Sequence, residues 1–75
     1  MSLSSKLKMT RQRLFLTQES FAAEISVSVA TINRWEKGHS RPNMTAMKNI
    51  KAFCERNNIP FNDIENEWLS HSTEE

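Results

Sequence analysis

Seventy-five residues with ten Lys/Arg against nine Asp/Glu leave room for one domain and one modest core, since a chain this short buries only about 60% of the surface its unfolded form exposes. The lone cysteine, Cys54, excludes an internal disulfide and with it the stapled mini-domains of oxidising compartments, so a cytoplasmic location is expected. No apolar run approaches the ~18 residues of a membrane span, and Met1 to Ser5 lacks the charged-then-apolar pattern of a signal segment, so no membrane partner is expected.

Apolar spacing is helical along the chain and predicts an all-α fold, a compact bundle of about five short helices over residues 1–70 with a frayed acidic tail at 71–75. In the first segment Leu3, Leu7 and Leu14, with the methylenes of Arg11 between them, share one stripe, and Phe15 and Leu16 close it. Thr17 is a good N-cap for a second helix, with Gln18 and Glu19 in its first turn and Phe21, Ala22 and Ile25 facing inward. Ser28 caps a third, whose inward residues are Ile32 and Trp35 and whose stop is Gly38. Pro42 disfavours helix at Arg41, so residues 39–42 read as a loop. Asn43 caps a fourth helix with a stripe of Met44, Met47, Ile50 and Phe53 or Cys54, read as core, and Asn57-Asn58 breaks it. Pro60 leads into a last helix that turns Phe61, Ile64 and Trp68 or Leu69 inward.

Only Ser26 to Ser28 separate the second and third helices. Two helices joined so tightly cross steeply, at roughly 90–120°, in the helix-turn-helix arrangement. The second of the pair then projects and is of a size to enter the major groove of a DNA duplex. The motif spans about residues 17–37.

The string Leu16-Thr17-Gln18-Glu19-Ser20-Phe21-Ala22, then Val27-Ser28, Ala30-Thr31-Ile32, Arg34-Trp35-Glu36-Lys37-Gly38 and Arg41-Pro42 closely resembles the family of phage Cro and lambda-type repressors, the XRE-like helix-turn-helix family. The resemblance runs from about Leu3 to Cys54 and includes Arg11. It departs from the pattern at Ser26, where the turn often has glycine; a left-handed serine there costs on the order of 1 kcal/mol.

The resemblance implies double-stranded DNA as partner and assigns roles by position. Ser28, Val29, Ala30, Asn33 and Arg34 match the positions that reach base edges. Their chemistry is suited to reading bases, since Arg34 can pair bidentately with guanine, Asn33 can address adenine, and Val29 and Ala30 can meet a thymine methyl. Val29 is also readable as core. Thr17, Gln18, Thr31, Lys37, His39 and Arg41 match phosphate contacts, which position a domain without reading sequence. Arg11 and Glu36 match a partly buried ion pair that fixes the recognition helix.

Charge is unevenly spread. Residues 1–54 hold nine Lys/Arg and three Asp/Glu, whereas residues 55–75 hold Arg56 and six acids. A basic working region with an acidic end pointing elsewhere fits a polyanion partner. Catalysis is not expected. His39, Cys54 and His71 lack metal-ligand spacing, no serine sits in an elbow-like context, and no glycine-rich phosphate loop exists, so neither metal nor cofactor is expected. Cys54 lies on an apolar stripe and reads as a small buried hydrophobe. The reading is a transcriptional regulator acting as a dimer on an inverted repeat, with the acidic last helix, Trp68 and Leu69 as the surface for a homodimer. The competing readings are an antitoxin or adaptor whose acidic end, Phe61 to Glu75, holds a protein partner, and the targeting domain of a longer protein.

Overall fold

Helix ends define this chain as much as helix interiors do. The computed structural model describes residues 2–72, with side chains up to Ser70, so the tail expected over 71–75 falls outside the described side chains. The helices are α1 Leu3–Arg13, α2 Gln18–Glu24, α3 Val29–Glu36, α4 Met44–Arg56 and α5 Asn62–Ser72. Among the described residues there is no strand, and no helix is long and apolar enough to cross a membrane.

Four N-caps work in the same way. The side chains of Ser2, Thr17, Ser28 and Asn43 accept from the backbone N–H three residues on, at Ser5, Ser20, Thr31 and Ala46. Each satisfies a donor that the helix itself leaves without a partner. At the other ends, Phe15, Ser26, Gly38 and Asn58 adopt left-handed φ of 57°, 61°, 78° and 56°. The residue after each closes a six-residue ring back to the helix: Leu16 N–H to Arg11 O, Val27 to Ala22, His39 to Arg34 and Ile59 to Cys54. These are Schellman closures, in which an apolar residue just past the left-handed one packs on the helix it ends. Leu16 and Val27 pack against the core in this way and Ile59 belongs to it.

The core gathers Leu3 and Leu7 from α1, Phe21, Ala22 and Ile25 from α2 and its cap, and Ile32 and Trp35 from α3. It is completed by Ala46, Met47, Ile50, Phe53 and Cys54 of α4 and Ile64 of α5. Phe21 meets Phe53 edge-on, with centroids 5.2 Å apart. Both residues left open on α4, Phe53 and Cys54, are buried. On α5 it is Trp68 that packs against the core, while Leu69 is largely exposed.

Two residues read from apolarity alone lie elsewhere. Met44 is 63% exposed, because it opens α4 between the exposed Asn43 and Thr45 and the buried stripe starts only at Ala46 and Met47. Phe15 does not close the first segment as helix: α1 stops at Arg13, and the left-handed backbone at Phe15 turns its ring out to 95% exposure.

An aromatic residue in that conformation strains the backbone and gains no packing. Phe15→Gly is expected to stabilise the fold by about 0.5–1 kcal/mol in urea unfolding, the relief of left-handed strain exceeding the added entropy of the unfolded chain. A loss of stability would show that the ring packs on something. Burial, aided by neighbouring Glu55, pushes the Cys54 thiol up to about 11. Iodoacetamide at neutral pH is therefore expected to leave Cys54 intact in the folded protein and to alkylate it in denaturant, as read by mass spectrometry.

Candidate nucleic-acid interface

α3 has only two buried residues, Ile32 and Trp35. Its other positions divide by helical geometry. Val29, Asn33 and Lys37 follow one another at steps of four and Ala30 and Arg34 form the adjacent row, so these five share one face. Val29, Ala30, Arg34 and Lys37 are exposed and Asn33 is half-buried. Val29, open between core and surface in the sequence, is 45% exposed.

One flank of α3, between its buried stripe and its exposed face, is fastened by one polar cluster. Arg11 of α1 donates from Nε to Glu36 Oε2 at 2.7 Å and from Nη2 to Oε1 at 3.0 Å, and from Nη1 to the Leu16 carbonyl at 2.8 Å. Gln18 of α2 donates from Nε2 to Glu36 Oε1 at 3.1 Å, and Asn33 donates from Nδ2 to Gln18 Oε1 at 3.5 Å. The charged side chains are only 12% and 5% exposed, for Arg11 and Glu36. Burial is the largest single influence on Glu36 and opposes its ionisation. The hydrogen bonds from Arg11 and Gln18, with the attraction of Arg11 and Lys8, outweigh it and hold the carboxyl below its ordinary range. The hydrogen bond to Glu36 raises Arg11 against its own desolvation.

Other expected contacts lie around this face in different states. The Ser28 hydroxyl caps α3 and shares a 2.8 Å hydrogen bond with the Thr31 hydroxyl, and Thr17 caps α2 beside Gln18. Lys37 and His39 are exposed past the end of α3. Arg41, matched to a phosphate position, is turned to the last helix: its guanidinium lies 4.4 Å over the Trp68 ring and donates from Nη2 to the Trp68 carbonyl at 3.0 Å. Trp68 Nε1 donates in turn to the Pro42 carbonyl at 2.7 Å. The loop after α3 is thus pinned to α5, a contact with no counterpart in local sequence pattern. Sequence pattern also misses Asn49 of α4. It donates to the Ile25 carbonyl at 3.2 Å and so satisfies the end of α2 at the motif's corner. A groove of about 510 Å³ runs along this side, lined by Ser28, Thr31, Arg34, Ser40, Arg41 and Asn43 among others. Among the described residues no three His, Cys, Asp or Glu side chains gather to hold a metal.

A tight two-helix corner that leaves the second helix with one exposed face, carrying Arg34 and Lys37 beside Val29 and Ala30, is the form of a helix-turn-helix DNA-binding domain. A family model described as Helix-turn-helix matches residues 7–57, and the chain belongs to that family, of the XRE type. Among characterised proteins it is similar to the HTH-type transcriptional activator BcrR of Enterococcus faecalis, with 40% identity over 53 residues. Those residues are 71% of this chain and 26% of that protein, so the chain spans about a quarter of its relative's length. No solved structure matches the chain.

The folded pKa of Glu36 lies below its unfolded value, so its stabilisation is complete above the ordinary carboxylate pKa of ~4.3 and is lost as pH falls through the lower folded value. Arg11 is raised, and its share is lost only in strong alkali. Urea midpoints between pH 7 and pH 3 are expected to drop in the acid part of this range. Glu36→Gln, which leaves a charged guanidinium in a dry site, is expected to cost about 3 kcal/mol at pH 7 and to flatten that acid slope. An unchanged slope would remove Glu36 as its source.

Proposed function

We infer that this domain binds double-stranded DNA sequence-specifically and regulates transcription, acting as a dimer on an inverted repeat. The observation that carries the reading is the two-row, largely exposed face of α3, fastened along one flank by Glu36. In this reading Arg34 is the principal base reader, through a bidentate contact to guanine, and Asn33 addresses adenine. Val29 and Ala30 supply apolar contact to thymine methyls, and Ser28 lies at the start of the reading surface. Thr17, Gln18, Thr31, Lys37 and His39 face the phosphates on either side, and the polar groove beside Arg34 leaves space for one strand's backbone. Arg41 contributes through the position of its loop. Two copies joined through α5 would place their recognition helices on half-sites about one helical turn apart.

Selection of binding sites from a random DNA pool is expected to enrich a palindrome with that spacing. On the enriched site Arg34→Ala is expected to cost about 1–3 kcal/mol and to blur one base position, whereas Lys37→Ala weakens all sequences alike and lowers the salt slope by about one. Uniform weakening by Arg34→Ala would remove it as a base reader, and failure to enrich any sequence would overturn the specific-binding reading.

A further inference from the structure

We propose that Gln18 is a positioning residue for base recognition, transmitting the polarity of the buried Arg11–Glu36 pair to the carboxamide of Asn33 so that Asn33 presents an adenine-selective edge. This rests on the reading of Asn33 as a base reader and adds what decides its specificity.

The inference follows from what each group can donate or accept. An ionised carboxylate only accepts hydrogen bonds. Glu36 is held in that form by Arg11, whose two contacts of 2.7 and 3.0 Å anchor both carboxylate oxygens. The Gln18 carboxamide, 3.1 Å from Glu36 Oε1, must therefore turn its NH₂ toward α3's last residue. Its oxygen is then the atom left to face Asn33, 3.5 Å away, and an oxygen can be met only by a donor. Asn33 thus turns its NH₂ toward Gln18. Neither amide has a free choice of orientation: the charge at Glu36 sets the first and the first sets the second.

What remains on Asn33 is the whole carbonyl oxygen and the second N–H of Nδ2. That acceptor–donor pair is the complement of the adenine major-groove edge, which offers an N6 hydrogen and the N7 lone pair. Guanine presents two acceptors there and would need the reversed amide, with its NH₂ alone turned outward. An Asn on an unsupported helix face could flip to suit either purine, and would discriminate weakly. Here a flip would set the Asn33 oxygen against the Gln18 oxygen, and Gln18 cannot flip to relieve this without opposing oxygen to carboxylate at Glu36. Discrimination at one base pair is therefore built three side chains away, in a pair that contacts no base.

The test measures binding to the selected site and to its variants at the base pair that Asn33→Ala blurs. Wild type is expected to prefer adenine there by roughly tenfold, the value of a good bidentate contact. Gln18→Met, which keeps the side chain's length and loses its hydrogen bonds, is expected to reduce that preference to about twofold. Gln18→Ala should do the same, and melting of both variants by circular dichroism reports the fold. Combining either with Asn33→Ala should remove no further preference, since both act through one contact. A tenfold preference retained in Gln18→Met and Gln18→Ala, with affinity lowered equally for all sequences, would overturn the proposal and leave Gln18 as a phosphate contact. If Asn33→Ala itself changes no base preference, the underlying assignment of Asn33 falls instead, a result distinct from the first.

Discussion

One guanidinium and one carboxylate meet at the point where three helices converge. Arg11 reaches from α1 to Glu36 on α3 and to the carbonyl of Leu16 in the turn before α2, and Gln18 brings α2 to the same carboxylate. The apolar core could not fix this junction alone. α3 is eight residues long with two buried side chains, so apolar burial constrains its depth better than its rotation, and a helix this short has little stability of its own. Hydrogen bonds to a charged pair are directional and fix that rotation. Their net stabilisation is small once desolvation of both ions is counted, whereas loss of either partner is severe. The pair is best understood as the setting of an angle.

A second fastening works from the opposite end of the chain. Trp68 lies under the Arg41 guanidinium and donates to Pro42, so the loop after α3 is held by α5. The indole N–H satisfies the Pro42 carbonyl, and the ring face takes up a cation. Lys6 and Asp63, 3.2 Å apart, tie the first helix to the last on a more exposed surface, where such a pair adds little. The last helix therefore takes part in fixing the loop that follows α3, although it carries the acidic residues Asp63, Glu65 and Glu67.

Much of the fold could be read from local pattern. Thr17, Ser28 and Asn43 announce their helices because capping needs only a short polar side chain three residues from a donor, and Ile32 and Trp35 mark the inner side of α3 by spacing. The left-handed turn at Ser26 was legible through the family pattern rather than through serine itself. Phe15, read as closing the first helical segment, instead adopts the left-handed backbone that ends it, and its ring is directed outward. Val29 is matched to a base-reading position yet also readable as core, because one β-branched residue suits either; its depth depends on which side of α3 Ile32 and Trp35 occupy. The partners of Arg41 and Gln18 lay beyond reach for another reason. They are 27 and 18 residues distant, and no local spacing encodes a contact between segments that meet only after folding.

The turns at Phe15-Leu16-Thr17 and Ser26-Val27-Ser28 are the same device used twice: a left-handed residue, an apolar residue closing the ring, and the cap of the next helix. In each, all three positions are occupied and none is spare. The spacing of the chain is consequently as fixed here as its chemistry. One added or deleted residue would break the succession of left-handed residue, ring closure and cap, and would re-aim the following helix, taking Glu36 away from Arg11. Residue changes at these corners are graded in their effect, but changes in length are all-or-none. The two corners act as a ruler laid along residues 13–29.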